Sequence, residues 1–115
     1  GFPGAGVILP VLIDAGYHKR GIDLSRLSQV NSINAARTFG LPAKGEMKVG
    51  YDADLALIDL DWERTIDESL FGGNDFSIYD GMTFKGWPRY TLVRGEIVQQ
   101  DGQIVSTPGG RFLPR

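Results

Sequence analysis

The hydrophobic period of this chain changes near residue 44, and that change limits the folds open to it. Before it, apolar residues recur at helical spacing. After it, they come in short runs and alternations punctuated by glycine, so helices precede strands in an α+β arrangement. At 115 residues the chain is about the size of one domain.

Val7, Ile8, Leu9, Val11, Leu12 and Ile13 place apolar side chains on nearly every face of a helix expected from about Val7 to Tyr17. Pro10 is tolerable only in its first turn, where the missing amide has no intrahelical acceptor. A helix apolar nearly all round needs neighbours on several sides. Burying one large apolar side chain is worth about 1.5–3 kcal/mol. A chain this short is therefore expected to expose an apolar patch, to self-associate, or to leave this helix without order. A second helix should begin at Asp23, whose carboxylate can accept from the amides of Ser25 or Arg26. Ser32 is expected to cap a third helix, Ile33 to Phe39, which stops at Gly40 with Pro42 beyond.

Leu55-Ala56-Leu57-Ile58, bounded by Asp54 and Asp59, has the pattern of a strand covered on both faces. The polar, aromatic and glycine-rich segment from Asp59 to Gly86 reads as mostly loop, with one short strand near Thr65-Ile66. Tyr90 to Arg94 and Glu96 to Gln99 flank Gly95, and Asp101-Gly102 precedes Gln103 to Val105. This predicts a three-strand meander with a type I′ turn at Asp101-Gly102. Pro108-Gly109-Gly110-Arg111 reads as an irregular tail. Sixteen glycines, about twice ordinary usage, agree with many tight turns.

Charge and composition exclude several functions. Twelve Lys+Arg against fourteen Asp+Glu give a net charge of −2, which lacks the dense basic surface of a nucleic-acid binder. The longest apolar run, Val7–Ile13, is far below the roughly 20 residues that cross a bilayer. It also lacks the charged flank and cleavage pattern of a signal peptide, so a soluble, cytoplasmic protein is expected. Without cysteine there is no disulfide, thiolate nucleophile or cysteine zinc site. The single histidine, His18, leaves too few imidazoles for the usual zinc sites.

No local motif completes a catalytic set. His18 fits a cationic helix C-terminus better than a base or metal ligand. Asp52-Ala53-Asp54 resembles half of a calcium loop but lacks the further oxygen ligands, and suits a turn in which Asp binds nearby amides. Asp59, Asp61, Glu63, Asp67 and Glu68 read as a solvated face rather than paired acid and base. The glycine-rich opening from Gly1 to Gly6 leads into a helix without the Lys-Ser/Thr of a phosphate loop. Phe76, Tyr79, Phe84, Trp87 and Tyr90 read as local packing of a loop rather than a binding face.

Taken in order, the motifs resemble the end of a cyclic amidohydrolase of the dihydroorotase, hydantoinase, dihydropyrimidinase and allantoinase group. The matching pieces are Gly1-Phe2-Pro3-Gly4, Ile8-Leu9-Pro10-Val11-Leu12, Gly21-Ile22-Asp23-Leu24-Ser25-Arg26-Leu27 and Asn31 to Leu41. They continue with Lys44 to Leu55, Ser77 to Met82, Thr91 to Val98, Asp101-Gly102 and Gly110-Arg111-Phe112-Leu113. The Asn-Ala-Ala and Gly-Tyr-Asp-Ala-Asp-Leu pieces occur across amidohydrolases. The Pro-Gly opening, Tyr-Asp-Gly-Met and the Gly-Arg-Phe-Leu ending favour the cyclic-amide branch. A departure is Gly6, where relatives usually carry Glu.

The resemblance implies an α+β fragment of a larger enzyme. Residues 1–43 would be the last loop and terminal helices of a metal-bearing (β/α)₈ barrel. Residues 44–115 would be the C-terminal part of a small β-rich composite sandwich, with an irregular tail. It implies a parent hydrolase of C–N bonds in cyclic amides, with a divalent metal, zinc, and a homo-oligomeric assembly. The ligands of that metal, an early His-x-His, a carbamylated Lys, two later His and an Asp, would all precede Gly1. This segment would then carry no catalytic or metal-binding residue and be inactive by itself. It would bring Gly1 and Phe2 to the rim of the substrate pocket. Two alternatives are a non-catalytic scaffold related to dihydropyrimidinase and a self-standing β-rich binding module. The opening at Gly1, without an initiator Met, reads as a cut end.

Overall fold

The computed structural model describes residues 4–67, 70 and 77–113. A 3₁₀ turn, Ala5–Val7, runs into α1, Ile8–Leu12, and then into a π-helical stretch, Ile13–His18. Pro10 lies in the first turn of α1, as its missing amide requires. Helix α2, Leu24–Asn31, starts as expected: Asp23 Oδ1 accepts from Ser25 N at 2.8 Å and from Arg26 N at 3.4 Å. Helix α3, Ile33–Thr38, ends one residue before the expected Phe39, ahead of Gly40 at φ +65°. Ser32 occupies its N-cap position, but its hydroxyl makes no capping bond; its carbonyl accepts from Ala36 N at 2.9 Å.

Two long strands follow, β1 at Leu55–Thr65 and β2 at Thr83–Val93, then β3 at Glu96–Gln100 and β4 at Gln103–Ile104. They form one sheet in the order β1-β2-β3-β4. The stretch expected as loop from Asp59 to Gly86 thus holds most of β1 and the start of β2. The reason is a period-2 pattern carried by unusual residues. Leu60, Trp62 and Arg64 are half-buried while Asp61, Glu63 and Thr65 are exposed, so charged residues supply the outer face of a strand. Leu55 to Ile58 is not covered on both faces either: Ala56 is exposed and Leu57 is 49% exposed.

The chain divides into two compact units, Gly1–Ile22 with Ile58–Trp87, and Asp23–Leu57 with Pro88–Arg115. In the first, Val7, Ile66, Phe84 and Trp87 form the buried core, with Val11, Trp62, Leu70 and Tyr79 packed against it. Val7, Pro10 and Ile13 are buried, and Ile8 is the large apolar residue of the helix left mainly in water, at 51% exposure. The helix is therefore largely covered. Its cover comes from β1, β2 and the residues beside them, the segment that reads as loop in the sequence.

In the second unit, β2 and β3 pair antiparallel, Tyr90 with Gln100 and Val93 with Glu96, with a bulge between Thr91 and Leu92. Strands β3 and β4 pair through Gln99 with Ile104 and Gln100 with Gln103. Asp101 and Gly102 stand at φ 49° and 84°, and Arg94 and Gly95 at φ 50° and 83°. Two successive positive-φ residues are what a type I′ hairpin turn needs, so the expected turn is present and a second one joins β2 to β3. Leu27 of α2 and Ala36 of α3 are the buried apolar residues of the helical part. Among the described residues, no helix is long and apolar enough to cross a membrane.

Candidate functional site

Gly1 and Phe2, the residues expected at the substrate pocket, lie outside the described residues. Within them, the polar groups that converge most closely tie the first helix to the strands. Asp14 is 5% exposed, and among the described residues only Ser77 is a comparably buried polar group. One oxygen of Asp14 pairs with Lys19 Nζ, and Oδ1 accepts from the backbone amide of Lys85 on β2 at 3.2 Å. Burial pushes the Asp14 carboxyl up, but the Lys19 ammonium and the Lys85 amide outweigh it and hold the group below the usual carboxylate range. Asp14 was detectable as the one charged residue in the apolar stretch from Val7 to Gly16. A lone carboxylate there must find partners or forfeit its charge.

His18 Nε2 lies 2.8 Å from the carbonyl oxygen of Leu60 on β1. A carbonyl only accepts, so Nε2 carries the proton and donates it. The Tyr17 ring meets the imidazole edge-on at 5.0 Å. His18 does sit in the last turn of its helix, as expected. Its bond to a residue 42 positions away makes it a tether between helix and strand, which local sequence does not show.

A second polar cluster organises the other unit. Lys44 Nζ pairs with Asp52 Oδ2 at 2.8 Å and with Asp54 Oδ2. Asp54 Oδ1 accepts from Arg94 N at 2.8 Å, and Gly95 N donates to Ala53 O at 3.0 Å. Asp52-Ala53-Asp54 thus serves a turn, as expected, but the amide it binds belongs to the β2–β3 turn forty residues on. Burial raises the Asp54 carboxyl, yet Lys44 and the Arg94 amide lower it more; Asp52 and Asp54 raise Lys44 in return. A folded carboxyl held below its unfolded value contributes stability above about pH 4 that fades as the pH falls further. Asp54→Asn is therefore expected to cost about 1 kcal/mol near neutrality, after allowance for solvent screening. The difference from wild type should shrink below about pH 4 in thermal unfolding. A difference that stays constant across that range would refute an ionic role.

In the acidic stretch, the carboxylates of Asp59 and Asp61 meet backbone amides and a lysine. Asp59 Oδ1 accepts from Asp61 N at 3.0 Å and Trp62 N at 3.2 Å, and Asp61, 87% exposed at its side chain, pairs with Lys85 Nζ. Asp61 and Glu63 lie on the exposed side of β1, in accord with a solvated face; Glu68 is outside the described residues. Of the aromatics, Phe84 and Trp87 are core and Tyr79 packs against it, its ring 5.9 Å from Phe84 edge-on. Phe84 and Trp87 lie on β2 rather than in the loop expected of them, Tyr79 lies in the turn before it, and Phe76 is outside the described residues. The Arg64 guanidinium lies 5.1 Å from the Trp62 ring and 5.0 Å from the Trp87 ring, a cation–π contact on both indoles.

Among the described residues, no three His, Asp or Glu side chains are grouped to hold a metal ion. The one imidazole spends Nε2 on a backbone carbonyl. No chemical step follows from the described residues alone.

Comparison with known proteins places this architecture. The model of the amidohydrolase family matches residues 7–98. An allantoinase from Rubrobacter xylanophilus is 42% identical over 114 residues, covering 98% of this chain and 25% of the relative. An L-hydantoinase from Paenarthrobacter aurescens is 37% identical, over 97% of this chain and 25% of its own length. The solved structure of an L-hydantoinase (dihydropyrimidinase) from Arthrobacter aurescens superposes with a TM-score of 0.92 at 37% identity, covering all of this chain and 26% of that one. The chain spans about a quarter of the length of the relatives it matches.

Proposed function

This chain belongs to the amidohydrolase family, and on that premise we propose that it is the C-terminal part of a metal-dependent hydrolase of cyclic amides. Residues 1–43 are the last loop and terminal helices of its barrel. Residues 44–115 are the C-terminal part of its β-rich domain, with the tail. Gly1 and Phe2 stand at the rim of the ring pocket. The metal, zinc, would be held by residues outside this segment and would supply an activated water. The assembled enzyme is homo-oligomeric and cytoplasmic.

The observation that carries this reading is the agreement of sequence and backbone, along nearly the whole chain, with proteins named allantoinase and L-hydantoinase. The part played by the segment is mechanical. Asp14 and His18 fasten the first helix to β2 and β1. Holding a substrate in the reactive geometry supplies a large share of many rate enhancements. The test is an assay of the longer polypeptide that carries this segment, loaded with zinc, on a hydantoin, a dihydropyrimidine, dihydroorotate and allantoin. Turnover of at least one, lost on chelation and regained with zinc, is expected. Turnover of none by a folded, zinc-loaded protein would overturn the proposal.

A further inference from the structure

Among the described residues, the half-buried basic side chains are His18, Lys44, Arg64, Lys85 and Arg89. All but one of them meet an acceptor. His18 donates to Leu60 O, Lys44 pairs with Asp52 and Asp54, Lys85 with Asp61 at 3.0 Å, and Arg89 with Asp101 at 3.2 Å. Arg64 is the exception. Its guanidinium meets the rings of Trp62 and Trp87, and no oxygen of the described residues accepts from it. Its nitrogens are still open to solvent, since no described side-chain nitrogen is sealed off without a partner. The acids beside it in sequence do not neutralise it: Asp61 and Glu63 lie on the exposed side of β1, and Asp61 pairs with Lys85. A partly desolvated cation whose donors lack protein acceptors calls for an explanation.

We propose that Arg64, on its platform of Trp62 and Trp87, is a binding site for a carboxylate. The donors of a guanidinium lie in its own plane while aromatic rings take its faces, so the two indoles restrain the long side chain and leave its N–H groups available. Trp87 belongs to the core and Trp62 packs against it, so the platform is itself held. A donor already restrained loses less freedom on binding, and partial burial strengthens its attraction for an anion. The planar, two-oxygen acceptor that matches this fork is a carboxylate, bound through paired N–H···O bonds. It comes either from an Asp or Glu elsewhere in the longer polypeptide or from a free organic acid; the chemistry is the same. The site rests on the function proposed above only for the existence of that longer polypeptide.

The test uses the longer polypeptide with its indole nitrogens isotopically labelled, titrated with sodium acetate against sodium chloride at equal ionic strength, together with its crystal structure. If the carboxylate is a free acid, the Trp62 and Trp87 indole signals should shift saturably with acetate and not with chloride. Arg64→Lys, which keeps the charge and the ring contact but not the fork, should then raise the half-saturating acetate concentration about fivefold or more. If the carboxylate is internal, acetate should give no saturable shift, and the crystal structure should show an Asp or Glu oxygen within about 3.2 Å of an Arg64 nitrogen. Neutralising that acid should then destabilise the unsubstituted protein but have little further effect in Arg64→Met, whose chain still covers the indoles. Arg64 facing only water in the crystal, with no saturable response to acetate, would overturn the proposal. A response equal in the unsubstituted protein and Arg64→Lys would mark an adventitious additive only and overturn it as well. Failure to hydrolyse any cyclic amide would defeat the functional proposal and leave these readouts unchanged.

Discussion

Gly86→Ala is expected to destabilise the protein by about 3 kcal/mol or more, from two causes that act together. Gly86 stands on β2 at φ +104°, where an L side chain is strained. A Cβ built there would lie 2.1 Å from Ile13 Cγ2 and 2.9 Å from Ile13 Cβ. Ile13 is 3% exposed and β-branched, so it has no room or rotamer to retreat into. The helix would have to lift from the strand, putting the Asp14 to Lys85 bond at risk. A double-mutant cycle with Ile13→Ala separates the causes. The contact with Cγ2 should be relieved in the pair, while the close approach to Ile13 Cβ and the backbone strain should remain, a non-additivity read in urea unfolding. A Gly86→Ala protein within about 0.5 kcal/mol of wild type would show that the helix does not pack this closely.

Trp87→Ala should be comparably severe, at about 3–5 kcal/mol. The indole is 5% exposed in the core with Val7, Ile66 and Phe84. Its Nε1 donates to Phe84 O at 2.7 Å, so truncation leaves a cavity and removes the donor from that carbonyl. It also removes one of the two rings against Arg64. Trp87→Phe, which keeps much of the apolar volume but not the donor, should recover about half of the loss. Equal stability losses for the two variants would mean that the hydrogen bond, and not the packing, dominates.

Features set by neighbouring residues were legible in the sequence. Asp23 caps α2 through amides two and three residues on, and Asp101-Gly102 turns through its own positive φ values. The order of short motifs along the chain carried the family in the same way. What the sequence concealed lies in contacts between distant residues. The alternation of Leu60, Trp62 and Arg64 with Asp61, Glu63 and Thr65 looks like a polar loop until a helix is available to cover its inner side. The tethers of Asp14 to the Lys85 amide and of His18 to Leu60 O span 71 and 42 residues. One partner in each is a backbone group, the Lys85 amide that donates and the Leu60 carbonyl that accepts, which every residue carries and no side-chain motif marks. Lys44 gave no local sign of its role either, since Asp52 and Asp54 come to it through the fold.

On the proposed function, this segment supports a reactive centre whose ligands lie elsewhere in a longer polypeptide. Its most direct test is the cyclic-amide assay run in parallel on the longer protein and on the purified 115-residue chain, both supplied with zinc and the latter freed of longer forms. Turnover by the first and none by the second is expected. Hydrolysis of a ring amide by the 115-residue chain alone would contradict it.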